Sequence, residues 1–97
     1  MPNAGVTIGT PTQGATPPAG YGFLVVQNDA VNNPGLTGGT ATVGTSTKTI
    51  KATFALAPSS GYTVSFTAPP SRIAPGPASP VPVVKGLTTT VTVTFGP

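Results

Sequence analysis

Side chains able to do acid–base, nucleophilic or metal-binding chemistry are scarce in this sequence of 97 residues. Asp29 is the one acidic residue, and histidine and cysteine are absent. General acid–base catalysis depends on positioned His, Asp or Glu side chains, and covalent catalysis on an activated nucleophile such as Cys. A metal centre needs several ligands of the same residue types. The sequence therefore predicts a protein that is not an enzyme and that holds no metal and no cofactor.

The basic side chains are four, and they are spread along the chain at Lys48, Lys51, Arg72 and Lys85. A nucleic-acid-binding domain concentrates Lys and Arg in one stripe, interleaved with aromatic residues. Because these four are scattered, nucleic-acid binding is not expected, in spite of the net charge of +3. Lysines on strands typically protect sheet edges. Arg72 follows two prolines and is a candidate contact to an acidic partner surface.

The remaining polar cluster is Asn28, Asp29, Asn32 and Asn33, next to a Pro-Gly pair. Asn and Asp side chains hydrogen-bond to nearby backbone, so such a cluster favours a turn over a binding site. Carbohydrate sites usually present exposed aromatic rings, and this chain has no Trp. Its two tyrosines fall in the apolar phase of strand patterns, which favours packing. A carbohydrate-binding module remains an alternative.

No run of apolar residues approaches the roughly 20 needed for a membrane-spanning helix, so no membrane association is expected. The first residues show neither the charged nor the apolar region of a signal peptide. The chain begins Met1-Pro2, like an open reading frame, which favours a protein that acts without secretion. The alternative is a segment excised from a longer secreted protein.

Strand patterns fill the chain from Tyr21 onward. Apolar residues alternate with polar ones in short runs separated by Gly, Pro and Asn, which is typical of an antiparallel β-sandwich or small barrel. The runs read YGFLVVQND, TATVGT, TSTKTIKATFALAP, SSGYTVSFTAPP, VPVVKG and GLTTTVTVTFGP. In the last run, one face is predicted to carry Leu87, Thr89, Val91, Val93 and Phe95. The opposite face is predicted to carry four threonines and no charge, which suits a surface packed against a neighbour.

The first 20 residues differ from the rest, since Gly, Pro and Thr dominate them. We predict an extended N-terminal arm at residues 1–20 and a β-sandwich domain at residues 21–97. The arm is either a disordered tail or a segment that lies on a partner, where GVTIGT would add a strand to another sheet edge. The candidate partner-binding residues are Val6, Ile8, Pro11 and Pro17 of the arm, with Arg72 of the proline loop.

The second half of the chain resembles the end of prealbumin-like β-sandwich domains, a group that includes carboxypeptidase regulatory-like domains and collagen-adhesin B-type repeats. The resemblance lies in KATFALAPSSGYTVSFTAPP followed by PVPVVKGLTTTVTVTF, and covers about half of the chain. Its central motif is Leu56, Pro58 and Gly61 followed by Tyr62-Thr63-Val64. The resemblance implies an all-β, Ig-like or prealbumin-like antiparallel sandwich.

The first half, YGFLVVQNDAVNNPG, matches that pattern only loosely. Some collagen-adhesin repeats form a Lys–Asn isopeptide bond assisted by a buried acid. The closing strand here has no Asn and the chain has no Glu, so no such crosslink is expected.

A small sandwich with a Gly/Pro arm and few charges is typical of bacteriophage head decoration (minor capsid) proteins. On this interpretation the protein is made in the host cytoplasm and binds the outer capsid surface of the virion. Its partner is then the major capsid protein or another virion protein, and the chain forms a homo-oligomer, with a trimer possible. The alternative is an extracellular cell-surface, pilus or adhesin module.

Overall fold

The computed structural model describes residues 3–97 of the chain. Eight strands make up the regular secondary structure of that range: β1 Gly5–Ile8, β2 Gly22–Asn28, β3 Thr40–Val43, β4 Ser46–Thr49, β5 Ala52–Leu56, β6 Ser59–Thr67, β7 Ala78–Val83 and β8 Thr88–Thr94. They form two four-stranded sheets, with the orders β1-β8-β2-β5 and β4-β3-β6-β7. The predicted all-β class is confirmed, and the arrangement is that of a β-sandwich.

The closing strand β8 has the two faces that its alternation predicts. Thr89, Val91 and Val93 are fully buried, whereas the four even-numbered threonines of β8 are half-buried on the outer face. Side chains of a strand alternate between its two sides, so one apolar face is enough to orient the whole element. The prediction of a threonine face is confirmed.

The core lies between the two sheets and consists mainly of Val and Ala side chains, with one Leu and two Phe. Its buried members are Leu24, Val26, Ala41, Val43, Ala52, Phe54, Val64, Ala78, Val81, Val83, Val91, Val93 and Phe95. Full burial of one Val, Leu or Phe side chain stabilises a fold by about 1.5–3 kcal/mol. Phe95 closes one end of this core against Gly39, where a Cβ would lie 2.7 Å from the ring.

One strand pair departs from the antiparallel prediction. β2 and β8 run parallel, with Leu24 beside Thr89 and Val26 beside Val91. A parallel pair requires a crossover connection, and here the whole second sheet lies between the two strands in sequence. The expectation of a purely antiparallel sandwich was therefore wrong for this pair.

The run TSTKTIKATFALAP, predicted as one strand, forms two. β4 belongs to the second sheet and β5 to the first, with the chain crossing between them at Ile50 and Lys51. Ala52 and Phe54 are buried, as the alternation predicts. The pattern does not reveal the crossing because Ile50, which lies at the crossing, packs against the same core as Ala52 and Phe54 and so continues their alternation.

The N-terminal segment is paired within its own chain. β1 runs antiparallel to β8, with Val6 beside Val93 and Ile8 beside Val91. The pairing continues at Thr12, whose N–H donates to Thr88 O at 2.9 Å. Residues 5–12 are therefore hydrogen-bonded to the first sheet, although they precede the predicted domain boundary after residue 20. The first two residues of the predicted arm lie outside the described residues.

Candidate functional site

A groove lies on the outer face of the first sheet, beside the threonines of β8. We call it the threonine groove; its volume is about 390 Å³. Its lining residues are Thr12, Gly14, Ala15, Phe23, Val25, Gln27, Lys51, Thr53, Thr88 and Thr90. We take this groove as the candidate site, because binding sites are usually concave and largely apolar with a few polar groups.

The strand register places an apolar floor beside a row of hydroxyls. Phe23 is the neighbour of Thr88, and Val25 is the neighbour of Thr90 across the parallel β2–β8 pair. On its other side Val25 faces Thr53 of β5. Because Leu24 and Val26 point into the core, Phe23 and Val25, which alternate with them, must point outward.

The wall of the groove is the segment that follows β1. The N–H of Thr12 donates to Thr88 O at 2.9 Å, and the N–H of Thr88 donates to Thr12 O at 2.7 Å. This reciprocal pair holds Thr12 at the rim, and residues 14–15 then line the groove. Phe23 and Val25 are therefore half-buried, although they lie on the outer face of the sheet.

The polar groups of the groove are partly satisfied within the chain. The Gln27 side-chain amide donates to Thr92 Oγ1 at 3.2 Å. Thr88 Oγ1 is buried without a hydrogen-bond partner among the described residues. It lies beneath Gly14, where a Cβ would sit 3.6 Å from that oxygen. The groove thus combines an apolar floor with hydroxyls that can donate or accept.

The charge at the groove is positive and lies on the β5 side. Lys51 is the one charged residue in the lining. Lys48 lies next to this side, where its Nζ donates to Thr53 O at 2.8 Å and stands 5.2 Å from the centre of the Phe54 ring. The single acid, Asp29, is not among the lining residues. An anionic group is therefore better accommodated here than a cationic one.

The five residues predicted to bind a partner do not line the groove. Val6 packs against the core, and Ile8 keeps 39% of its surface exposed. Pro11 is half-buried and Pro17 is buried. Arg72 is half-buried in the loop after β6, where its N–H donates to Pro69 O at 3.2 Å.

The sequence pattern does not identify Phe23 and Val25 as surface residues. The run Phe23-Leu24-Val25-Val26 is uniformly apolar, so its pattern does not separate an inner from an outer face. Such runs are typical of strands covered on both sides, and here the outer side is partly covered by residues 12–15. The continuous run was the available signal, but it does not say what covers the strand.

The Asn/Asp cluster forms a turn, as predicted. Asp29 Oδ1 accepts hydrogen bonds from the N–H groups of Val31 and Asn32, and Oδ2 accepts from the Asn32 amide at 2.6 Å and from the Thr94 hydroxyl at 2.7 Å. These bonds, with the Asn32 side chain as the largest cause, lower the pKa of Asp29 from 3.8 to about 2. The carboxylate is engaged within the chain.

Asn33 is the buried member of this cluster, with 2% of its surface exposed. Its Oδ1 accepts from Phe95 N–H at 2.8 Å, and its Nδ2 donates to Phe95 O at 3.2 Å. The side chain thus continues the hydrogen bonding of β8 beyond its last strand residue. Its role is to hold the β2–β3 loop against that strand.

Within residues 3–97 there is no group of three His, Cys, Asp or Glu side chains that could hold a metal ion. The same part of the chain has no helix long and apolar enough to cross a membrane. No known protein family, curated protein or solved structure matches the chain.

Proposed function

We propose that this chain is a structural, non-catalytic protein that docks onto another protein through the threonine groove. The observation that carries the proposal is the groove itself, in which Phe23 and Val25 form an apolar floor between threonines. Protein interfaces combine a centre depleted in charge with a polar rim. The groove and the adjoining threonine face have that composition.

Threonine suits such a contact for a physical reason. Its hydroxyl can donate and accept, and its short side chain loses less rotamer freedom on binding than Lys, Glu or Gln. The lysines on the β5 side, Lys48 and Lys51, complement a partner surface that carries carboxylates.

The assembly that we propose is a bacteriophage capsid, with this chain as a head decoration protein on its outer surface. The partner is then the major capsid protein or another virion protein. The low charge of the sequence supports this choice, since 5% of its residues are charged. We also propose that the sandwich is of the prealbumin-like type. The support is the Leu56-Ala57-Pro58 segment, which leaves β5 and enters β6, followed by the Tyr62-Thr63-Val64 strand.

The experiment compares two variants of the tagged chain, each with one added lysine. The variants are produced in cells that make phage particles after infection or induction. Thr90→Lys places a charge in the groove, and Ser65→Lys places the same charge on the outer face of the second sheet as the control. Particles are purified on a density gradient, and the bound protein is quantified. We expect wild type and Ser65→Lys to accompany the particles, and Thr90→Lys to be depleted at least about tenfold, since that factor needs only about 1.4 kcal/mol.

Equal binding of both variants would show that the groove is not the docking surface. Wild-type protein found in the secreted or cell-wall fraction, and missing from particles, would reject the virion assignment. That result would favour the cell-surface alternative.

A further inference from the structure

The outer strands of the two sheets differ in how they are protected against pairing with another chain. An edge strand exposes unpaired N–H and C=O groups, and proteins usually block these with proline, lysine or a covering segment. The four edge strands of this sandwich are β1 and β5 in the first sheet, and β4 and β7 in the second.

Three of these edges carry a protective feature. β7 contains Pro80 and Pro82, which have no N–H to donate. On β5, the carbonyl of Thr53 is occupied by Lys48 Nζ at 2.8 Å. β4 carries that same Lys48 and has no apolar side chain to bury on pairing.

The edge of β1 has none of these features. Its sequence is Gly-Val-Thr-Ile, without charge or proline. Gly9 N–H donates to Thr90 O, so the backbone groups of Gly9 and Thr7 point toward β8. Those of Val6 and Ile8 therefore point to the open side, because successive residues of a strand direct their hydrogen-bonding groups to opposite sides.

The side chains at this edge are also suited to pairing. Val6 and Ile8 neighbour Val93 and Val91 on the inner face of the sheet. Ile8 nevertheless remains 39% exposed, since no strand lies beyond it in the first sheet. A further strand added beside β1 would cover this side chain and satisfy the free backbone groups.

We propose that β1 pairs antiparallel with β1 of a second copy of the chain, around a two-fold axis at Thr7. This axis places Val6 opposite Ile8 of the partner copy and Ile8 opposite Val6 of the partner copy. In both pairs the backbone N–H and C=O groups point to the open side of β1. Each pair exchanges two N–H···O bonds, so four such bonds form across the axis. The two first sheets then become one continuous sheet of eight strands.

Charge does not oppose a second copy at this edge, because β1 is uncharged in both copies. Each copy has a net charge of +3, so two copies repel one another where their bases meet. Lys48 and Lys51 lie at the β4 and β5 side of the sandwich, at the end of the strand order opposite to β1. β1 itself is neutral, and charges separated by more than about 8–10 Å are largely screened at physiological salt.

The contact is short, so the dimer is concentration-dependent. Four residues of strand span about 13 Å, and stable complexes usually bury roughly 1,200–2,000 Å² in total. We therefore expect a dissociation constant in the high micromolar to millimolar range. This range corresponds to a free energy of association on the order of 4–6 kcal/mol. Local concentration on an assembly would raise its occupancy.

The test is sedimentation of the isolated chain from roughly 10 µM to 1 mM. Wild type is expected to shift from monomer toward dimer over this range. Ile8→Pro removes the N–H that points to the open side. It removes no hydrogen bond between β1 and β8, so the variant should stay monomeric. Ile8→Val keeps that N–H and should still dimerise, within about 15-fold of wild type, since the dimer loses at most one buried methyl group from each copy. Circular dichroism checks that Ile8→Pro is folded.

A second readout does not depend on the proline variant being folded. The amide protons of Val6 and Ile8 should exchange rapidly at low concentration and become protected at high concentration. A monomer throughout the range, a dimer that persists in folded Ile8→Pro, or amides that exchange equally fast at both concentrations would each overturn the proposal. The groove variant Thr90→Lys should dimerise normally, so this result is independent of the proposed docking function.

Discussion

At the scale of single residues, Asp29 shows how the chain uses its one acid. Its carboxylate accepts four hydrogen bonds from Val31, Asn32 and Thr94, which joins the β2–β3 turn to the end of β8. The bonds favour the charged form, and the pKa of Asp29 falls from 3.8 to about 2. A carboxylate held in this way stabilises the fold only while it is ionised.

This carboxylate predicts a specific pH dependence of stability. Because the pKa of Asp29 is lower in the folded than in the unfolded chain, its contribution is fully present above pH 3.8 and is lost as the pH falls toward about 2. The unfolding temperature of wild type should therefore drop between about pH 4 and pH 2. Asp29→Asn removes the titrating group and should show a smaller drop, measured by thermal circular dichroism.

The comparison isolates Asp29 because the chain has no other acidic side chain and no histidine, and the C-terminal carboxyl group is the same in both proteins. An equal pH dependence of Asp29→Asn and wild type would assign the acid sensitivity to another group.

At the scale of elements, β8 organises the molecule. It pairs with β1 on one side and with β2 on the other. Thr89, fully buried, donates its hydroxyl to Pro82 O at 2.7 Å and so links the two sheets. Beyond the last residue of β8, Asn33 takes the place of a neighbouring strand at Phe95.

Replacement of Asn33 tests this extension of β8. Asn33→Ala leaves the N–H and the C=O of Phe95 without their partners in a buried site, and each such loss typically costs about 1–3 kcal/mol. We expect a total loss of roughly 2–6 kcal/mol in the free energy of unfolding, measured with urea. Asn32→Ala, an exposed neighbour in the same turn, should have the smaller effect. The reverse order of the two variants would contradict the role given to Asn33.

At the scale of the whole molecule, the two halves of the chain are joined through the first sheet. Its order β1-β8-β2-β5 brings the N-terminal segment and the last strand together. The radius of gyration is 12.8 Å, close to the roughly 12.5 Å expected for a compact domain of this length. The segment before β2 therefore lies on the body of the protein.

Deletion of residues 1–9 tests whether this segment is part of the fold. The deletion removes the bonds between β1 and β8 and the packing of Val6, so we expect the free energy of unfolding to fall by roughly 2 kcal/mol or more. Deletion of residues 1–4, which keeps β1, is the control and should be nearly neutral. If the longer deletion left stability unchanged and abolished binding to particles, the segment would be a docking arm.

The alternation of apolar and polar residues by itself determined the class of this protein, the inner faces of β3, β5, β6 and β8, and the threonine face of β8. It did so because each of these strands has one side in the core, and burial of that side sets the period of two. The single acid and the absence of His and Cys are likewise read from the sequence alone, and they are the basis of the proposal that the chain is not catalytic.

Only the tertiary structure decided which strands are neighbours. Alternation is a local property, whereas the parallel pairing of β2 with β8, the return of β1 to β8 and the crossing from β4 to β5 are contacts between distant residues. The threonine groove depends on all of these pairings, since its floor, wall and charged side come from β2 and β8, from residues 12–15 and from Lys51. No single run of the sequence contains the groove, and it exists only once the first sheet is assembled.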